Sequence, residues 1–339
     1  MTESNPEITS PEAAGLPAYK DRSTGLMVFG LLTLLLGVLV GLFIPLVLFG
    51  QAAAAKASHA PINYAVILPA VSIYGPLSVV LIWLGIGSML ARRWARALLL
   101  IGSWIWLVMG IMMLIFMAIF LPKVLGQIPA PSTTGTNSPP ALPPGAMLGA
   151  MIVVVLFTGF IWIILPAVWV FFYKSPHVKA TCEARQSLPC WTDACPLPVL
   201  GFCLWLAFCV PMMLLMPLMG KGVIPFFGQF LTGATGSVFY FLIAAAWATG
   251  AWRMYRLDAR GWWLTLITLG LFFASAMLTY AQHDMVEAYR LMHYPEAQIE
   301  QLQKLGLFTG KNLCWVTGAS MVPFFGYLLF IKKYFRNRA

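Results

Sequence analysis

Apolar residues in this chain follow neither a 3.6-residue nor a two-residue period. They fall in long continuous runs, separated by short polar connections that carry the charge. Eight runs contain no Asp, Glu, Lys, Arg or His: 25–50, 64–90, 97–122, 146–173, 197–219, 233–252, 261–282 and 312–331. A helix of about 20 apolar residues crosses the hydrocarbon of a bilayer, and a charge at its centre costs at least ~2.5 kcal/mol. The pattern therefore predicts an all-α integral membrane protein with eight transmembrane helices. Composition agrees: 60% of residues are hydrophobic and 9% charged, against about 25% charged in soluble domains. An ordinary soluble enzyme is excluded.

Charge adds direction. Fifteen of the 21 Lys and Arg residues lie in the N-terminal tail, the even-numbered connections and the C-terminus, and six in the odd-numbered ones. Cytoplasmic loops retain the basic excess, so both termini are expected in the cytoplasm. The net charge of +10 is split into clusters between apolar runs and forms no continuous stripe, so the partner expected is the lipid bilayer and not nucleic acid. The polar tail, 1–24, holds Glu3, Glu7, Glu12 and Asp21, unlike the start of a signal peptide, and the run after it is too long for one. The first span is read as retained, although small residues over 53–60 imitate a cleavage site.

The halves of the chain resemble each other. A shift of 164 positions aligns Pro61 with Pro225, Trp83 with Trp247, Arg92 with Arg256, Ala95 with Ala259 and Arg96 with Arg260; Pro45 matches Pro211 at a shift of 166. Two four-helix repeats follow, 25–173 and 198–339, joined by a linker over 174–197. With four spans each they run parallel, related by a pseudo-twofold axis along the membrane normal. The first long connection, 123–145, is rich in Pro, Ser, Thr and Gly and reads as a flexible linker. Its counterpart, 283–311, reads as two short helices, from Pro295-Glu296 as a helix start, Gly306 as a stop and an apolar stripe of Ile299, Leu302 and Leu305.

The linker contains His177-Val-Lys-Ala-Thr-Cys-Glu-Ala-Arg185 and then Trp191-Thr-Asp-Ala-Cys-Pro-Leu-Pro198. Over about 25 residues it resembles one found in a group of uncharacterised bacterial multi-pass membrane proteins. That resemblance implies the inner membrane of a bacterium and no known activity.

Candidate chemistry is sparse. Cys182, Cys190 and Cys195 with His177 could hold zinc, but no Cys-x-x-Cys pair is present, and free reduced thiols are the plainer expectation. Cys203, Cys209 and Cys314 fall within spans and read as packing residues. His283, Asp284, Glu287 and His293 cluster beside the seventh span. His283 and Glu287, four apart, share a helix face and could supply metal ligands, with His59 as another; solvated surface is the simpler reading. The pairs Arg92/Arg96 and Arg256/Arg260 read as topological anchors able to hold an anionic lipid head group or a phosphate. In the glycine-rich stretch 222–236, either a re-entrant segment or a loose helix start is possible, with Gln229, Thr232, Thr235 and Ser237 as pathway-lining residues. Gly37 and Gly41 mark close helix packing. Ser320 has no base near it in any span.

No ionisable residue lies inside a span, which disfavours a proton-coupled pump, and no phosphate-cradling P-loop is present. No cofactor is implied. Three classes remain. A passive or facilitated channel or carrier between the repeats, bounded by the second and sixth spans, stands first by fold analogy. A membrane-embedded assembly or sensory subunit, working with other membrane proteins, is the alternative. A lipid-modifying enzyme using the His283 cluster comes third.

Overall fold

A computed structural model describes residues 20–58, 64–125, 144–305 and 309–335. It is almost entirely helical, and eight helices are long and apolar enough to cross a membrane. The first three spans are α1 (Ser23–Ser58), α2 (Tyr64–Met89) and α3 (Arg93–Leu125). The fourth is assembled from α4 (Pro144–Gly159), a π-helical turn (Phe160–Ile164) and α5 (Leu165–Lys174). The linker folds into α6 (Pro176–Arg185) and a 3-10 turn (Trp191–Asp193). The second half holds α7 (Leu197–Met219), α8 (Gly233–Tyr255), α9 (Ala259–Gln282) and α12 (Gly310–Ile331) as spans, with short helices α10 (Met285–Leu291) and α11 (Glu296–Leu305) before the last. Strands β1 (Ile224–Phe226) and β2 (Gln229–Leu231) form an antiparallel hairpin between α7 and α8.

The π-turn has a covalent cause. Pro166 has no N–H to donate to the Trp162 carbonyl four residues back, and its ring crowds that carbonyl, so the ladder widens by one residue just ahead of it. The Trp162 carbonyl faces Gly110 of α3, where an added Cβ would sit 2.1 Å from the oxygen. α1 and α2 approach closely by the same logic: Gly30 and Gly85 each face the other's carbonyl, and Gly37 abuts Ile82. Hydroxyls lock that pair, with Ser78 donating to the Gly37 carbonyl (2.8 Å) and Ser88 to that of Leu26 (3.1 Å).

The turns from α2 to α3 and from α8 to α9 are built alike. Ala91 (φ 52°) and Leu257 (φ 59°) both sit in the left-handed region. Each donates its N–H three residues back, to Ser88 and Met254, and the next residue donates five back, Arg92 to Gly87 and Asp258 to Arg253. This is a Schellman closure, here with side chains where glycine is usual. On this geometry Ala91 corresponds to Leu257, a spacing of 166, as between Pro45 and Pro211. Burial follows the same register, setting buried Ser88 beside Met254 and Ala95 beside Gly261. A shift of 164 would instead pair Trp83, 49% exposed, with Trp247, 3% exposed. Within these two turns Arg92 takes the place of Asp258, two positions from its sequence match with Arg256.

Each half has its own core. Leu26, Leu99, Leu100, Trp169, Tyr173 and Val178 form the first, from α1, α3, α5 and α6. Phe202, Leu206, Trp247, Met254, Trp262 and Leu328 form the second, from α7, α8, α9 and α12. The halves meet through α3 and α7, where Ile101 packs with Leu200 and Cys195. The second and sixth spans, expected as the boundary, are not the helices that make this join.

Candidate functional site

The two ends of the bundle carry different chemistry. At one end the two-residue turn Phe227-Gly228 closes the hairpin with φ of 42° and 95°, the left-handed pair that a tight hairpin demands. α9 holds it there through residues on one helix face. The Ser275 hydroxyl accepts from the Phe227 N–H (3.0 Å) and donates to the Pro225 carbonyl (2.9 Å). One turn on, the Thr279 hydroxyl accepts from the Gly228 N–H (3.1 Å). Another turn on, His283 Nε2 lies 3.1 Å from the Gly228 carbonyl while its Nδ1 lies 2.7 Å from Glu287 Oε2. Both partners of the ring are acceptors, so a protonated imidazole satisfies both and a neutral one only one. Asp284 accepts from the Gly310 N–H and so fastens the start of α12. Beside these residues opens a cleft of about 610 Å³, walled also by Arg290, Gln303 and Lys311.

This geometry separates the expected ligand set. His283 and Glu287 meet, but His293 sits in the turn before α11 and is not on the cleft wall; His59 lies outside the described residues. Among the described residues no three His, Cys, Asp or Glu side chains are placed to hold a metal ion. The stretch 222–236 forms the hairpin and the first turn of α8, between full-length α7 and α8. Gln229, Thr232 and Thr235 are exposed on β2 and the first turn of α8, and Ser237 turns its hydroxyl onto the Gly233 carbonyl (2.7 Å). These four line the surface and not the join between the halves.

At the opposite, basic end, the organising residue is Arg93 at the start of α3. Its guanidinium reaches Glu183 of α6 (3.2 Å) and Asp193 of the 3-10 turn (3.5 Å), and its N–H donates to Gln186 Oε1 (3.1 Å). Lys179 shares Glu183 (3.8 Å). Asp193 also accepts from the Cys190 N–H (3.0 Å), which shapes the turn. Between α3 and this linker lies a pocket of about 270 Å³. Arg96 lines it, whereas Arg92 and Arg260 are exposed, and Arg256 lies over the Trp252 ring at 4.7 Å. The four arginines thus do not act as two like pairs. Arg93 has no short-range signal in the sequence, because its carboxylate partners lie 90 and 100 positions away.

The linker cysteines do not gather with His177, whose Nδ1 instead accepts from the Lys20 N–H (3.4 Å). Cys182 and Cys195 are buried on the pocket wall, and burial pushes both thiols up to about 11. They are protonated at neutral pH, the wrong state for a metal ligand or nucleophile. No protein-family model, curated protein or solved structure matches this chain.

Proposed function

We propose that this protein is a membrane-embedded subunit of a larger assembly in the bacterial inner membrane, with both termini in the cytoplasm and its halves derived from a duplication. The orientation rests on the basic excess at the end bearing the arginine turns. The duplication rests on the matching turns around Ala91 and Leu257.

The observation that carries the assembly reading is how little the peripheral spans bury within the chain. Only 11% of the most apolar stretch of α1, of the fourth span and of α12 is buried. Glycines in membrane helices commonly mark a close neighbour, as Gly30, Gly37, Gly85 and Gly110 do. Gly102, Gly159 and Gly326 have nothing within 4 Å of where a Cβ would stand. They leave shallow notches on faces that helices of another membrane protein fit.

Extraction in a mild detergent followed by native mass spectrometry tests this. The wild type is expected in a stoichiometric particle heavier than the 37.3 kDa chain, and Gly159→Leu or Gly326→Leu is expected to release a folded monomer. A wild type that is monomeric in native lipid as well as in detergent would sink the proposal. The facilitated-pathway reading draws on the polar clefts at the two ends. Between them the join at Ile101, Leu200 and Cys195 is apolar, so solute flux in proteoliposomes above that of empty vesicles is what would restore it.

A further inference from the structure

We propose that the pocket between α3 and the linker is a binding site for a phosphate-type oxyanion, held by Arg96 and Thr192. The inference is independent of how the protein assembles. Three cations and two carboxylates line the pocket, and they do not cancel evenly. Arg93 takes both Glu183 and Asp193, and Lys179 shares Glu183. Arg96 forms no ion pair of its own among the described residues. Its Nε is closed off from solvent and has no acceptor among the described residues. From the facing side, on the 3-10 turn, Thr192, 1% exposed, carries a hydroxyl oxygen that is likewise buried and has no partner among the described residues.

Buried polar groups almost always find a partner, and an unpaired guanidinium donor is among the costliest to leave. Both residues line this pocket, so the chemistry of an occupant that would complete them is specified. The occupant must accept from a planar guanidinium and from a hydroxyl at once, and must carry negative charge to match the surplus cation. A phosphate oxygen does both. At about 270 Å³ the pocket is smaller than the usual range of about 300–1,000 Å³ for drug-sized ligands, so it suits a head group and not a whole nucleotide. Its place at the start of a membrane span opens it to two sources of the same chemistry, the phosphodiester of an anionic lipid or free phosphate.

The test uses the full chain in nanodiscs of phosphatidylcholine, titrated with inorganic phosphate by calorimetry, and in parallel nanodiscs containing phosphatidylglycerol, read by native mass spectrometry for retained lipid. Binding in either arm is expected to weaken about tenfold or more in Arg96→Gln and in the near-isosteric Thr192→Val, and to be unchanged in Arg260→Gln. Binding of phosphate assigns the free anion. Retention of phosphatidylglycerol without phosphate binding assigns the lipid. If neither arm distinguishes Thr192→Val or Arg96→Gln from the wild type, or if Arg260→Gln loses as much, the site does not exist. Thr192→Val removes only a hydroxyl, so it remains informative should Arg96→Gln fail to fold.

Discussion

Ser88 fastens three helices with one hydroxyl. It lies in α2, donates to the Leu26 carbonyl of α1 and meets the Tyr173 hydroxyl of α5 at 2.7 Å. Having one hydrogen to give, it must accept from Tyr173. Ser88→Ala removes both bonds and strands the Tyr173 hydroxyl, while the Leu26 carbonyl keeps its place in the α1 ladder; it is expected to cost about 1–3 kcal/mol, read as a lowered unfolding temperature in detergent. Tyr173→Phe leaves the bond to α1 intact and should cost less. The thiols make a second prediction at this scale. Cys182 and Cys195 titrate near about 11, so maleimide at neutral pH should modify half-buried Cys190 first. Their own modification should rise as alkali produces thiolate; rapid labelling of Cys182 in the folded protein at neutral pH would contradict it. Arg93 was not legible in the sequence, because nothing local distinguishes an arginine that pairs with distant carboxylates from one that only marks a membrane side.

Among elements, glycine divides into two kinds that sequence treats as one. Gly110 faces the Trp162 carbonyl, whereas Gly102, two turns earlier on α3, faces nothing. Gly110→Ala must force α3 from the fourth span and is expected to cost about 1–3 kcal/mol or more. In the isolated chain Gly102→Ala should be neutral or stabilise by about 0.5–1 kcal/mol, through helix propensity. Unfolding temperatures of the two variants decide, and equal losses would refute the packing account. The hairpin depends on α9 in a similar way: Ser275→Ala should speed amide exchange at Phe227 and Gly228 while leaving the core of α9 protected. Eight spans were legible because hydrocarbon imposes a length and a charge rule on each. The hairpin was not, since Phe-Gly lacks the usual Asn-Gly or Asp-Gly signature of its turn. The two like turns stand two positions away from the sequence matches at a shift of 164; Trp and Arg recur at membrane boundaries for reasons of solvation, and such matches arise without equivalence.

The whole molecule is two helical bundles joined near one end. Orientation is tested by alkaline phosphatase fusions: activity is expected for fusions within α11 and none for those at Arg92 or Leu257, and the reverse would invert the topology. The join itself has a mixed character. Apolar contact at Ile101 and Leu200 is overlaid by the ion pairs of Arg93 and by the Tyr255 hydroxyl bond to the Trp191 carbonyl (2.9 Å). Those polar contacts lie at the ends of spans, within reach of mobile ions, whereas each core is built mainly from the apolar spans themselves. Salt screens exposed pairs over about 8–10 Å at 0.1–0.15 M and over less at higher strength. Raising ionic strength should therefore separate one thermal transition into two, the halves parting before either melts. Ionic strength becomes a handle on the join alone.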